Sequence, residues 1–518
     1  MKNKFNIMLI ACVVSVVISG CTSKKNPAIN HIPANAAMVV SMDIDRLSEK
    51  SDFNSIKDNF IFKMLGMMLT QKNIPDFIQD RSVTGIDFKQ EIYAAILNDK
   101  EESTNVLLLI PLKDEDKLIE LLEKVDDEIK FVDQDGIRMA AKDKVLVGVK
   151  DKLAIALIAE DLDTEDGYAS LKSSFDLQPE DELEAGSDGF RAFMDQKNDV
   201  GLWINMAGIN WDKLKKHSKM PFNPAETFNM NLQVSLNFED GYIHAHTESF
   251  ANDSSLYWMK NMMKNDFDES LYGYLSNPAP LAVARMSLNP EVLYELLNRL
   301  TVLDSMEAHS GMSKENLKTI FGAFTGDILF SFDGFIANSE TGPDSDKPAL
   351  LLAMGIKDSG GFLQNIKKNL TVSFMAGNDS AKSNHLMDSV YRMMVLQPNA
   401  WIMVSNPDRK ASMESDGFHP EGHLDLEIKE EFKDNQGAVL VDFQALQKVL
   451  SAIPNENDSQ KWLDALKALD RLVIYQNQDG DFHNSGDLYL YLMDKNGNSL
   501  NSLIQTALGA AGGSLFGN

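Results

Sequence analysis

Two imidazoles spaced to share one face are the first residues in this chain that could do chemistry. Side chains two apart on an extended strand leave by the same side, so His244 and His246 could present two nitrogens to one metal ion. A reactive metal centre needs three converging protein ligands and an open position. The sequence names no third ligand for this pair, and a solvent-facing strand surface is the plainer reading. A second pair, His419 and His423, brackets Pro420, Glu421 and Gly422, with Asp416 and Asp425 nearby. That spacing could hold a divalent cation, but Pro and Gly mark a turn first. The run from Asp161 to Gly167 has the acids of a calcium loop, yet its glycine falls one place late. Lys172 stands where the bidentate glutamate belongs, so the EF-hand reading is rejected. His244, His246, His419 and His423 stay as metal candidates. No metal, cofactor or catalytic residue is assigned.

Other chemistries leave no trace. No phosphate-cradling loop, dinucleotide fingerprint, zinc-protease helix or nucleophile elbow occurs. Carboxylate pairs leave no local signature, so a hydrolase built from scattered Asp and Glu stays open. Of the two cysteines, Cys12 lies in an N-terminal apolar run and Cys21 directly after it. The body that follows has no thiol, which excludes cysteine nucleophiles, cysteine-ligated zinc and disulfides. Methionine is abundant, with pairs such as Met67-Met68 and Met393-Met394. Flexible core filling explains it better than a copper site. The net charge is -28 over 518 residues, which repels nucleic acid and anionic lipid headgroups.

The first twenty residues have the parts of an export signal. Lys2 and Lys4 open it, Ile7 to Ile18 is too short to span a bilayer, and Ile18-Ser19-Gly20-Cys21 closes it. This ending resembles the lipobox of bacterial lipoproteins: an aliphatic residue, small residues, then the cysteine that takes diacylglycerol. Cys21 is therefore the expected lipidation site, and its acyl chains the expected membrane partner. Thr22 follows it where an inner-membrane retention aspartate would stand, and Lys24 and Lys25 occupy the place of an acidic surface-export cluster. The outer membrane with the body facing the periplasm is favoured over the cell surface.

The elements that must carry these residues look duplicated, at a separation of roughly 240 residues. Met38 to Asp45 matches Ala282 to Asn289, each a strand running into a helix, with Asp45 and Asn289 as caps and Pro290 in the first turn. Glu91–Ile96 matches Asp327–Phe332, after Gly85 and Gly326. Val106 to Asp114 matches Leu350 to Asp358, Val145–Val149 matches Trp401–Val404, and Leu202–Asn205 matches Val439–Asp442. Finally Phe238 to His244 matches Asn477 to His483 around the hairpin turns Asp240-Gly241 and Asp479-Gly480. The expected fold class is α+β: two related domains with largely antiparallel sheets and few packed helices. The division is 1–20 signal peptide, 21–32 lipidated cysteine and tether, 33–255 first domain, 275–495 second domain, and 496–518 mobile tail. Asp161 to Glu184, Asn338 to Lys347 and Asn406 to His423 are expected to be acidic loops.

A lipobox followed by Ile32-Pro-Ala-Asn-Ala36, Val39-Val-Ser-Met-Asp43 and Leu47-Ser-Glu-Lys-Ser51 resembles the large domain-of-unknown-function lipoproteins of Bacteroidota-type bacteria. The resemblance covers most of the chain and implies location and lineage without a reaction. The function expected is a lipid-anchored envelope protein that binds or scaffolds a protein or glycan partner. The rivals are an envelope or glycan hydrolase and a carrier of apolar molecules.

Overall fold

Antiparallel strands whose burial alternates along the chain build much of this molecule. In Thr104–Pro111, Leu107 and Leu109 are fully buried while Leu108 between them is not, the mark of a strand with one covered face. The computed structural model describes residues 26–57, 63, 77, 79–98, 104–159, 164–209, 211, 229–251, 257–310, 313–336, 347–362, 393–415, 417–451, 466–478 and 483–506. The chain forms two compact units. The first takes residues up to Ala36, Ser41–Asp45 and Lys57–Asp188, and the second takes Ala37–Val40, Arg46–Ile56 and everything from Gly189.

In the first unit, after β1 (Ala36–Met42), come β2 (Ile92–Asn98), β3 (Thr104–Pro111), β4 (Val132–Gln134), β5 (Ile137–Lys142), β6 (Val145–Lys150) and β7 (Leu153–Ile158). They pair antiparallel in the order β2, β3, β7, β6, β5, β4. The helix Glu115–Val125 starts where the Asp114 carboxylate accepts from the Lys117 amide, and packs Leu118 onto Leu112, Val149 and Ala154. The helix Thr164–Phe175 lies so close to β6 that a Cβ at Gly148 would sit 2.8 Å from the Leu171 side chain.

The second unit holds residues 37–40 of β1, then β8 (Val200–Asn205), β9 (Met230–Glu239), β10 (Tyr242–Ala251), β11 (Ala282–Ser287), β12 (Phe324–Ile336), β13 (Lys347–Ile356), β14 (Met394–Leu396), β15 (Ala400–Val404), β16 (Gly437–Asp442), β17 (Leu469–Gln478) and β18 (His483–Leu492). β1 lies beside β8. From there an antiparallel ladder runs β8, β9, β10, β18, β17, β16, β11, β12, β13, β15, β14. Its core gathers Val283, Leu329, Leu351, Ile402, Leu440 and Val473. Arg285 is buried there because its guanidinium finds the Tyr272 hydroxyl at 3.1 Å and the Asn435 carbonyl at 3.2 Å, over the Phe267 ring.

Pairings recur along the chain. β2–β3–β7–β6 has the same neighbours and directions as β12–β13–β15–β14, and β8–β9–β10 the same as β16–β17–β18. The bases of the latter two carry similar contacts. The Asp199 amide donates to Asn237 Oδ1 at 3.2 Å, and the Gln436 amide to Asn477 Oδ1 at 3.1 Å. The Phe238 amide donates to Asp199 Oδ2 at 2.7 Å, and the Gln478 amide to Gln436 Oε1 at 2.6 Å.

Several details differ from the sequence reading. β15 occupies the place of β7, since both pair with the preceding long strand; Val145–Val149 falls in β6, one strand farther out. Asn289 caps its helix and Pro290 opens it, whereas Asp45 lies inside the first turn of Ile44–Lys50. Helices are more numerous than expected, because many span only one or two turns, too few for a periodic pattern to show. The expected loop from Asp161 to Glu184 carries the helix Thr164–Phe175, and Asn406 caps a helix over Pro407–Glu414. The stretch from 496 is held as far as 506: Asn498 donates to the Phe238 carbonyl at 2.9 Å, and Ser499 is fully buried. Residues 338–346 and 507–518, and Cys21 itself, lie outside the described residues.

Candidate functional site

β10 and β18 run side by side with His244 facing Tyr489, His246 facing Asp487, Glu248 facing Ser485 and Phe250 facing His483. Every second residue of each strand shares one side of the ladder, so these eight side chains share a face. Ile243, on the other side of the sheet, is buried. That apolar underside fixes which face the histidines take, since a slip of one residue would reverse it.

On this face the nitrogens and carboxylates converge. His244 Nε2 lies 2.7 Å from Asp487 Oδ1, and His246 Nδ1 lies 2.8 Å from the same oxygen. The other nitrogen of His246, Nε2, is 3.3 Å from Glu248 Oε1. His483 Nε2 stands 3.8 Å from that Glu248 oxygen, buried and with no hydrogen-bond partner. Gln196 Nε2 donates to Glu248 Oε2 at 3.4 Å, and accepts through its own oxygen from Ser235 at 2.7 Å. Two rings are braced by stacking: His244 lies on Tyr489 with centroids 4.5 Å apart and planes 8° apart, and His483 lies on Phe250 at 4.6 Å and 6°. The five titratable side chains are 22–31% exposed, enough to admit a small ligand.

The electrostatics follow from this crowding. Burial disfavours the charged form of His246, but hydrogen bonds to Asp487 and Glu248 outweigh it and raise its pKa above the usual histidine value. Burial acts the opposite way on Asp487, and the hydrogen bonds from His244 and His246 outweigh it, lowering its pKa.

The cluster sits at a particular point in the ladder. Ile243 faces Phe238 across one hairpin, and Asn484 faces Gln478 across the other. Three residues beyond Ile243 is His246, and three beyond Asn484 is Asp487. The matching positions of the two hairpins therefore meet each other directly. Counted this way the position matching His244 is Ser485, two residues beyond His483: Phe238 lines up with Gln478 and not with Asn477, and one residue more separates Gln478 from Asn484 than Phe238 from Ile243.

The sequence candidates fare unequally. His244 and His246 come together with a third donor, Asp487. His419 and His423 are both exposed. Their loop is fixed by the Gly422 amide donating to the Gly273 carbonyl at 2.9 Å, and Asp425 caps the helix Leu426–Phe432. Asp416, Asp161 and Asp163 lie outside the described residues. Sequence reasoning missed Asp487, Glu248 and His483 as site residues. The alternation His244, His246, Glu248 could have flagged the glutamate. Nothing local could have flagged Asp487, which lies 241 residues from His246.

Comparison with known proteins gives a family and little else. Residues 29–378 match the model described as a domain of unknown function, DUF4836. No curated protein matches. Among solved structures, the chain is similar to crystal form IV of TP0453, with 11% identity and a TM-score of 0.23 over 42% of this chain and 80% of that one. Crystal form III of TP0453 gives 11% identity and a TM-score of 0.25 over 45% and 84%. A likeness this slight carries no argument.

Proposed function

The chain belongs to the DUF4836 family, a domain of unknown function, and from that premise we propose that it is a lipid-anchored envelope protein that binds a ligand through the shared face of β10 and β18. The observation that carries the binding reading is the convergence of His244, His246 and Asp487 on that partly exposed face. The anchor reading rests on Ile18-Ser19-Gly20-Cys21 and the apolar run before it. No helix among the described residues is long and apolar enough to cross a membrane. Acyl chains on Cys21 are the attachment proposed. The outer membrane, with the body towards the periplasm, is the proposed location.

A binding role is better supported than a hydrolase. Catalysis by carboxylates wants two of them pressed together so that one keeps its proton. The most deeply buried carboxylates are instead each matched to a cation. Asp199, fully buried, is held by Arg46 at 3.1 Å and Lys50 at 2.7 Å, and Asp327 by Lys264 at 3.3 Å. The reading as a carrier of apolar molecules draws less support still, since surface concavities are lined by groups such as Glu295, Arg299, Lys260 and Asp266.

We also propose that 33–255 and 275–495 are copies of one ancestral domain. The recurring pairings, and the matched contacts of Asn237 and Asn477, support it.

Replacing the lipidated residue tests the anchor. Cys21→Ala should yield an uncut or soluble product that no longer partitions into detergent. A variant that fractionates with membranes as the parent does would sink the reading.

A further inference from the structure

We infer that His244, His246 and Asp487 form a binding site for a divalent first-row transition metal, of which zinc is the natural probe. This rests on, and deepens, the reading of β10 and β18 as the binding face.

The donor set is the first argument. His244 Nε2, His246 Nδ1 and a carboxylate oxygen of Asp487 all lie within 4.8 Å of one another. Imidazole suits zinc, copper, nickel and iron, and one carboxylate beside two histidines is a recurring three-ligand set that leaves a position open for water or substrate. Tetrahedral zinc bonds of about 2.0–2.2 Å would place ligand atoms roughly 3.3 Å apart. The present nitrogen–oxygen separations of 2.7 and 2.8 Å would open towards that value, and the two nitrogens already lie within 4.8 Å of each other.

His246 supplies the second argument. Each of its ring nitrogens faces a carboxylate, Nδ1 towards Asp487 and Nε2 towards Glu248. A neutral imidazole has one N–H and one lone pair. With the N–H pointing to Glu248, Nδ1 and the Asp487 oxygen are two donors facing each other across a gap that only a cation can fill. A proton fills it when His246 is charged, and a metal ion that displaces that proton would be bound by both atoms. Glu248 then does what the outer partner of a ligating histidine usually does: it accepts the remaining N–H and fixes ring and tautomer.

Rigidity is the third. All three ligands stand on paired strands, and the His244 ring is stacked on Tyr489, so the site is held in place before any ion arrives. The charge also balances. Asp487 and Glu248 bring two negative charges to neutral imidazoles, which a divalent cation cancels. His483, whose buried Nε2 faces Glu248 without a hydrogen bond, adds a further nitrogen at the margin.

The purified chain, stripped with a chelator, is titrated with Zn2+ by calorimetry and with Co2+ by visible absorption. One equivalent should bind. Asp487→Asn and His246→Gln should each weaken it at least tenfold, while the double variant His419→Ala, His423→Ala should bind as the parent does. Thermal melting confirms that each variant is folded. Should His246→Gln fail to fold, histidine side-chain NMR of the parent decides: zinc should shift the resonances of His244 and His246 selectively. Absence of saturable binding, binding unaltered in the folded Asp487→Asn chain, or histidine signals indifferent to zinc would each overturn the site. The titration involves no membrane, so its failure leaves the anchor reading standing, and loss of the anchor leaves the metal site standing.

Discussion

Asp333 shows what one side chain costs when its surroundings are only half suited to it. It sits in β12 with Oδ2 accepting from the Ser276 hydroxyl and Oδ1 buried without a partner. Burial raises its pKa, and the Ser276 hydrogen bond and the Arg409 charge only partly oppose this. For an acid, a native pKa above the unfolded value means that the folded state holds its proton more tightly. The anion therefore destabilises the fold once the pH exceeds the unfolded value of about 4, and the whole penalty is present above the raised native value. Asp333→Asn keeps an oxygen for Ser276 and removes the charge. Urea unfolding at pH 7 should show the variant more stable, by on the order of 1 kcal/mol, because a neutral amide is cheaper to bury than the carboxylate anion even though its nitrogen in turn lacks a partner. The gain should vanish below about pH 4, where Asp333 is protonated in both states. A variant less stable than the parent at pH 7 would show that the Arg409 attraction wins.

At the scale of elements, glycine and hairpin register decide what can be built. Gly326 in β12 has φ of 99°, and a Cβ there would lie 1.8 Å from the Leu288 carbonyl oxygen, just ahead of the helix Pro290–Arg299. Neither the backbone nor the capped helix can give way cheaply. Gly326→Ala should cost about 3 kcal/mol, through strain and steric overlap together; a loss under about 1 kcal/mol would show that the turn relaxes freely. This glycine was visible in the sequence, read there as a turn before a strand although it lies in an irregular stretch inside β12, and so was the cap at Asn289, because both are local signals. The strands at Val106–Ile110 and Leu350–Met354 were legible for the same reason, as short continuous apolar runs. What stayed hidden depended on partners far along the chain. β6 and β7 are both short apolar strands, and only pairing with β3 says which one corresponds to β15. By hairpin position His244 likewise corresponds to Ser485 and not to His483, because Phe238 lines up with Gln478 instead of Asn477 and the second hairpin holds one residue more between paired positions. Half of the histidine site could be read as a pair on one strand. The other half belongs to β18, and no pattern within β10 announces it.

For the whole molecule, charge matters more than any single ion pair. A net charge of -28 repels itself, and that repulsion opposes compaction. Salt screens it over about 10 Å at 0.1 M. The melting temperature should therefore rise between 10 and 200 mM sodium chloride, by a few degrees. A fall on adding salt would mean that attractive pairs such as Arg46–Asp199 and Lys50–Asp199 outweigh the general repulsion. The pairing of β10 with β18 has a further consequence, and it concerns time. Nine residues from Tyr242 to Phe250 find their partners more than two hundred residues later. Until those residues are made, β10 has one paired edge and one bare edge, with unmet amides and carbonyls that any other extended chain could capture. Contacts so distant in sequence also form slowly. β18, the last strand among the described residues, is thus the one that joins β10 to β17, and a growing chain must keep that edge from strangers until β18 arrives.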